Sequence, residues 1–327
     1  HVGLVQHRLV AGDLALEAWA RGYHAIGVAD LNSLAGVVRI HSEAKKTGLR
    51  PVIGARIALV NGETFLAYPR NRAGYGRLSQ LISKGRMQDP DGAWQAKGVC
   101  DLTLRDLADH ADGIQLIAVP PSDLRGFTKV LARLAKALPT LKYLAASFLY
   151  QGDDRTRITR LDRMAGHTGL RLLATNDVLY HSPARRPLQD VMTCIRHKTT
   201  LAQAGYRLQV NAERHLKSPA EMQRLFAEWP HAIASTRTVA DACLFDLEEL
   251  SYEYPSEVIP KDSTPQAHLE KLTWEGAAAR YLEGVSNATR ATLNKELAMI
   301  QKLDIAQYFL TIHDIVLFAR SKDILCQ

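Results

Sequence analysis

Asp177 and His181 sit just past an apolar run, Arg171 to Thr175, in the stretch "ATNDVLYHSPARRPLQDV". A carboxylate and an imidazole at the carboxyl end of a buried strand are the donors that a hydrolytic divalent-metal centre needs. Two more positions belong to the same chemistry. Asp30 ends the apolar run "HAIGVAD", and Arg56 lies within the run "RPVIGARIALV". The arginine works against the other three, because a permanent guanidinium repels a divalent cation at short range. Were the strand to continue, residues 177, 179 and 181 would share a face. A structural reading stands beside the metal one: Asp30 and Asp177 pair with Arg56 or cap neighbouring helix starts.

The elements that must position these groups are legible in the pattern. Asp13 opens a short helix to Arg21, and His24 to Asp30 follows as a strand. Leu34, Val37, Val38 and His41 recur at i, i+3, i+4 and i+7, which predicts a helix with that apolar face, ending at Thr47-Gly48. The next strand, "RPVIGARIALV", leads into Asn61-Gly62, a two-residue hairpin signal calling for positive φ at both positions. Runs at Gln115–Val119, Leu141–Ser147 and Leu170–Asn176 read as strands, with helices near Leu124–Leu138 and Arg155–His167 between them. Repeated β-then-α units predict an α/β fold with a parallel sheet, open or closed into a barrel, and chemistry at the carboxyl ends of the strands.

After about residue 205 the pattern becomes helical. Ser218-Pro219-Ala220-Glu221 reads as a capping box ahead of the stripe Met222, Leu225, Phe226 and Trp229. Thr264-Pro265 opens another helix, Leu293, Leu297 and Ile300 mark a third, and Tyr308 to Ser321 reads as a fourth, largely buried one. "SYEYPSEVIPKDSTP", with its three prolines, reads as a connector, so a boundary falls at residues 250–263.

Composition sets the class. The chain of 327 residues is 46% hydrophobic and 23% charged, as expected of a globular protein. It has neither a signal-peptide layout nor the roughly 18 consecutive apolar residues of a membrane span. Cys100, Cys194, Cys243 and Cys326 are scattered, which argues against a zinc finger or disulfide framework and for a reducing, cytoplasmic setting. The formal charge of +7 and pI near 9.2 suit a nucleic-acid partner or an ordinary basic surface equally. There is no Walker-type or G-x-S-x-G motif. His41 reads as a core histidine, His313-Asp314 as helix neighbours pointing apart, and Arg185-Arg186 as a phosphate contact or a solvated pair. The chain starts at His1 and ends in "DILCQ", which reads as a piece of something longer.

Longer blocks carry a resemblance. "NSLAGVVR", "KGVCDLTLRDL", "NDVLYHSPARRPLQDVMTCIRHKTTL", "NAERHLKSPAEMQRLF", "LSYEYPSEVIP", "LTWEGAAARY" and "YFLTIHDIVLFARSKDILCQ" occur in order. Together they resemble the amino-terminal portion of the error-prone C-family DNA polymerases, relatives of the replicative polymerase III alpha subunit. The resemblance implies a PHP (polymerase and histidinol phosphatase-like) domain, a distorted (β/α)₇ barrel, over residues 1–250. Residues 251–327 would form the mainly helical start of the polymerase palm. A Gly-Arg-Gly-Ser block and the palm carboxylates would follow, so no catalytic residue is expected in this chain. For the longer protein it implies Mg²⁺, deoxynucleoside triphosphates, primer–template DNA, a sliding clamp, accessory mutagenesis proteins and translesion synthesis.

Metal-active PHP barrels resemble one another in an H-x-H, an Asp-His, a Glu and a late D-x-H. Here His1 and His7 are not in H-x-H spacing, Leu31 follows Asp30 in place of His, Arg56 stands for Glu, and Leu179 replaces the last His. Asp30, Arg56, Asp177 and His181 are thus read as remnant positions of a degraded metal site, with no tightly bound metal expected. Arg320 and Lys322 approach the region that lies near the incoming nucleotide in the family, where they would steer phosphate or simply complement a helix end. The rival functions are a stand-alone PHP phosphoesterase or exonuclease and a non-catalytic binding module. With palm partners absent, exposed apolar surface and self-association are expected of the last helices.

Overall fold

The computed structural model describes residues 2–5, 11–87, 95–251 and 259–326. The chain falls into two compact units, His1–Leu250 and Ser251–Gln327. In the first, strands and helices alternate: β1 (Val2–Val5), α1 (Ala11–Ala20), β2 (Ala25–Leu31), α2 (Val37–Thr47), β3 (Arg50–Ala58) and β4 (Thr64–Pro69). There follow α3 (Arg72–Met87), α4 (Leu104–His110), β5 (Ile114–Val119), α5 (Phe127–Ala137), β6 (Leu141–Ser147), α6 (Asp154–His167) and β7 (Arg171–Thr175). Four helices complete it: α7 (Arg186–His197), α8 (Leu201–Ala204), α9 (Pro219–Leu225) and α10 (Pro230–Ala242).

One curled seven-stranded sheet runs in the order β1 to β7. All pairings are parallel except those of β4, which is antiparallel to both β3 and β5. The sheet is therefore not the wholly parallel one that alternation suggests. The reversal comes from Leu59 to Glu63: Gly62 N donates to Leu59 O and Leu59 N to Glu63 O, each at 2.9 Å. Gly62 has φ +89° while Asn61 does not take positive φ, so this is a three-residue loop with a left-handed glycine, not the two-residue turn.

Strand alternation sorts side chains to two cores. Ala29, Val52, Leu66, Tyr68, Ile117, Tyr143, Ala145 and Leu173 face the concave interior, where Val239, Ala240 and Cys243 of α10 and its end join them. Arg50, at the entry of β3, donates from Nη1 to Cys243 O at 3.1 Å and from Nη2 to Ala240 O at 2.9 Å. A cation on the last carbonyls of a helix satisfies orphan acceptors and complements the dipole, and it fixes α10 to the sheet. The convex face packs on the helices through a larger cluster that includes Ile57, Phe65, Leu78, Leu116, Leu131 and Leu172.

The α2 stripe is Val37, Ile40 and Ala44, whereas Val38 is 63% exposed. Val38, one residue and so about 100° round the helix from Val37, points to water. At α9, Ser218 Oγ accepts from Glu221 N at 3.2 Å, but Glu221 turns to Arg224 instead of completing the box. Met222, Leu225, Phe226 and Trp229 are buried although the helix ends before Trp229.

The second unit holds α11 (Pro265–Arg280), α12 (Asn287–Leu303) and α13 (Ala306–Ser321). Leu269, Leu297, Ala306 and Leu310 form its small core. α13 is not the largely buried helix that its composition suggests. Only Ala306 and Leu310 are buried, and Ile315 and Phe318 are 56% and 63% exposed. Most of the connector, 252–258, lies outside the described residues. No helix of the described residues is long and apolar enough to cross a membrane.

Two expectations follow. A Cβ at Gly54 would lie 2.4 Å from Tyr68 Cδ1 and 2.6 Å from Ala67 O, so Gly54→Ala should cost about 1–3 kcal/mol by overpacking, read by urea unfolding; an unchanged midpoint would refute the tight fit. The exposed face of α13 should bind a hydrophobic dye and promote concentration-dependent self-association. Ile315→Glu with Phe318→Glu should suppress both, and a monodisperse chain without dye binding would contradict the expectation.

Candidate functional site at the mouth of the curled sheet

Strands β2, β3 and β7 end at one mouth, where a cavity of about 310 Å³ is lined by Arg56, Ser147, Asp154, Arg157, Thr175 and Asp177, among others. Arg56 leaves β3 near its end. Its position is held from β2 by Asn32, whose backbone N–H donates to Arg56 O at 2.7 Å. The Asn32 amide also brackets Ala58, accepting from its N–H at 2.9 Å and donating to its carbonyl at 3.3 Å. Asn32 has φ +43°, a conformation that asparagine tolerates better than most residues, and the Arg86 guanidinium donates to its carbonyl.

Asp177 follows the end of β7 in a left-handed turn, φ +43°, with its N–H donating to Thr175 Oγ1 at 3.2 Å. From there the chain zips onto a later segment: Leu179 N donates to Arg214 O at 2.8 Å and Leu216 N to Tyr180 O at 3.1 Å. Asn176 Nδ2 donates to the carbonyls of Glu213 and His215 at 2.9 and 2.5 Å. This pairing delivers Arg214 to the mouth.

The result is one carboxylate between two guanidiniums. Arg56 Nη1 donates to Asp177 Oδ1 at 3.1 Å, and Arg214 Nη2 donates to Asp177 Oδ2. Arg214 Nε adds a bond to the Asp177 carbonyl at 2.9 Å. All three side chains are mostly buried. Burial depresses the Arg214 pKa below its ordinary value, opposed by the charge of Asp177. Burial likewise lowers His215, so its imidazole is neutral near pH 7.

The remaining positions do not join this cluster. Asp30 is 6% exposed and faces away from the cavity that its neighbour Ala29 lines. Its Oδ2 accepts from Gly36 N at 2.9 Å, at the start of α2. A Cβ at Gly36 would come within 2.5 Å of that oxygen, so the glycine makes room for the carboxylate. His181 Nδ1 lies 4.0 Å from Asp13 Oδ2, beside α1, with Arg185 Nη2 3.7 Å from the same oxygen. His1 and His7 lie outside the described residues.

Among the described residues a divalent ion therefore has no fitting donor set here. Both oxygens of Asp177 face permanent cations, and no three His, Cys, Asp or Glu side chains converge among the described residues. The described residues hold a turn, a cavity and a charge cluster in place. Three contributors were not singled out from sequence. Arg214 is 37 residues from Asp177 and only the pairing brings it there. Asp154 accepts from the N–H groups of Leu149, Gln151 and Gly152 at 2.7, 2.6 and 3.2 Å and so shapes the loop before α6. Arg157 donates to the carbonyls of Ser122 and Pro121 across the cavity. Asp153-Asp154 just ahead of a helical pattern was the one available signal.

Elsewhere, Arg320 and Lys322 are exposed in the last turn and C-cap of α13, and His313 and Asp314 are exposed on the same helix. His41 is largely buried, its Nδ1 3.7 Å from Asp246 Oδ1. Arg186 is held by Asp190 and by Gln209 O.

Residues 10–151 match the PHP domain family, and residues 267–327 match the family described as Bacterial DNA polymerase III alpha NTPase domain. The chain is 49% identical over 314 residues to a protein of Bradyrhizobium sp. (strain ORS 278) named Error-prone DNA polymerase. It is 45% identical over 319 residues to one of that name from Caulobacter vibrioides. These alignments take in 94% and 97% of this chain but 27% and 29% of the relatives, so the chain spans little more than a quarter of their length. Among solved structures, an amidohydrolase from Chromobacterium violaceum aligns with a TM-score of 0.42 at 12% identity, over 54% of this chain and 86% of that one. The match to the PHP family model thus lies within the first unit, the one built on the curled seven-stranded sheet.

The ion cluster sets a stability order. Asp177→Ala leaves two mostly buried guanidiniums facing each other and should approach the roughly 3–5 kcal/mol cost of breaking a buried pair. Arg56→Ala leaves Asp177 bound to Arg214 and should cost less. Equal losses in urea unfolding would refute this order.

Proposed function

We propose that this chain is the PHP and early polymerase portion of an error-prone DNA polymerase, one that extends primers across damaged template in the cytoplasm. The observation that carries this reading is the match, across nearly the whole chain, to proteins of that name at 45–49% identity. The order of the two matched families, PHP first and polymerase III alpha second, agrees with it. Polymerisation would use primer–template DNA, deoxynucleoside triphosphates and Mg²⁺ held by carboxylates outside this chain. A sliding clamp and accessory mutagenesis proteins would be the partners of the complete protein.

Within that protein the PHP domain acts as a scaffold. Its mouth is closed by the Arg56–Asp177–Arg214 cluster, a donor set suited to fixing loops and unsuited to hydrolysis. Arg320 and Lys322, exposed at the end of α13, would draw nucleotide phosphates as the chain continues.

The test starts from the complete reading frame that contains this chain. A Gly-Arg-Gly-Ser block and palm carboxylates should follow Gln327, and the purified product should extend a primer past an abasic site in the presence of Mg²⁺. Arg56→Met should leave that extension near wild type after correction for folded fraction. A complete protein that cannot extend primers would sink the proposal. Stoichiometric zinc or manganese with hydrolysis of a phosphodiester would instead favour a PHP phosphoesterase.

A further inference from the structure

Helix α7 presents an apolar face that the fold does not use. Leu188, Val191 and Ile195 recur at i, i+3 and i+7 and form one stripe. All three are exposed, Ile195 to 65%, and of the whole helix only Cys194 is buried. Leu201, at the start of α8, is exposed beside it. Between the two helices runs an open groove of about 490 Å³, lined by Val191, Ile195, Lys198, Thr200, Leu201 and Gln203.

The groove is flanked by basic residues: Lys198 belongs to its lining, and Arg196 and Arg207 are exposed along the same stretch. The carboxylate of α7, Asp190, is already held by Arg186 at 3.3 Å. Arg196, Lys198 and Arg207 have no ionic partner among the described residues. We propose that this groove docks a short acidic segment with aliphatic anchors, carried by a separate protein. Aliphatic side chains would enter between Val191, Ile195 and Leu201, and flanking carboxylates would meet Arg196 and Lys198.

The other occupants fit less well. A single strand held by base stacking would use aromatic platforms within its groove, but this lining is largely aliphatic and the exposed Tyr206 lies outside it. A second copy would bring the same cations against each other. Permanent cover within one polypeptide calls for a broad apolar face, which is what α13 presents. A small aliphatic core with a charged rim is instead the composition of a reversible interface.

Panning the full chain against phage-displayed random dodecapeptides tests the idea, with selected peptides labelled and titrated by fluorescence anisotropy. The expected winners carry Asp or Glu around two or more aliphatic residues. Their affinity should drop about tenfold or more with Ile195→Ser, a hot-spot loss, drop similarly with Arg196→Glu and Lys198→Glu, and weaken with added salt. Circular dichroism of these surface variants should match wild type. No selected family sensitive to Ile195→Ser, or winners without acidic residues, would overturn the proposal. So would oligothymidylate binding that needs Arg196 and Lys198 but not Ile195, or an Ile195-dependent dimer in light scattering. Binding that vanishes once the chain is part of its complete polypeptide would assign the groove to that polypeptide instead.

Discussion

The mouth of the first unit depends on a single carboxylate held by two guanidiniums. Asp177 joins β3, through Arg56, to the segment after α8, through Arg214. Those two elements are far apart in sequence and share no strand pairing. A mostly buried anion cannot be left alone, and neither can either cation. The cluster therefore fixes the turn after β7, the exit of β3 and the returning segment together. The same charges that make the mouth rigid take from Asp177 the free oxygens that a metal would need.

The rest of the fold can be arranged around this constraint. Asn32 extends the pairing of β2 with β3 beyond the strand ends and fixes the backbone that carries Arg56. Asn176 grips the returning segment and so presents Arg214. At the opposite end of the sheet Arg50 ties down the last carbonyls of α10. Polar residues thus close both ends of an interior that is otherwise filled by Tyr68, Tyr143, Ile117 and small side chains. Tyr68 is wholly buried there, and burial raises its pKa well above the ordinary phenol value, so the ring stays neutral.

The strands and most helices were legible because each carries a local pattern: alternation or a continuous apolar run for strands, an i, i+3, i+4 stripe with caps for helices. Asp177 and Arg56 were legible as strand-end groups for the same reason. Local patterns misled where long-range packing decides. Val38 fits a stripe by spacing yet faces water, because the face that packs is the one through Val37, Ile40 and Ala44. The Asn61-Gly62 signal marks β4 as antiparallel to β3, but its antiparallel pairing with β5 is encoded by no single segment. α13 reads as buried because its residues are apolar, but burial needs a partner surface as well as a composition. Arg214 carried no signal at all, since its role exists only once the two segments after β7 have paired. Asp30 could be located but not oriented: the choice between mouth and helix cap was made by the space left at Gly36.

The arrangement of Asp177 also makes metal binding hard to reach by substitution. A route to it must clear Arg56 and Arg214 and install imidazoles. Removing Asp177 first strands two cations, and removing both cations first strands an anion, each in a mostly buried setting. Every early step on that route lowers stability before any new ligand can compensate. The ion cluster thus behaves as a ratchet: sequence drift around the mouth is filtered for folding long before it could be filtered for catalysis.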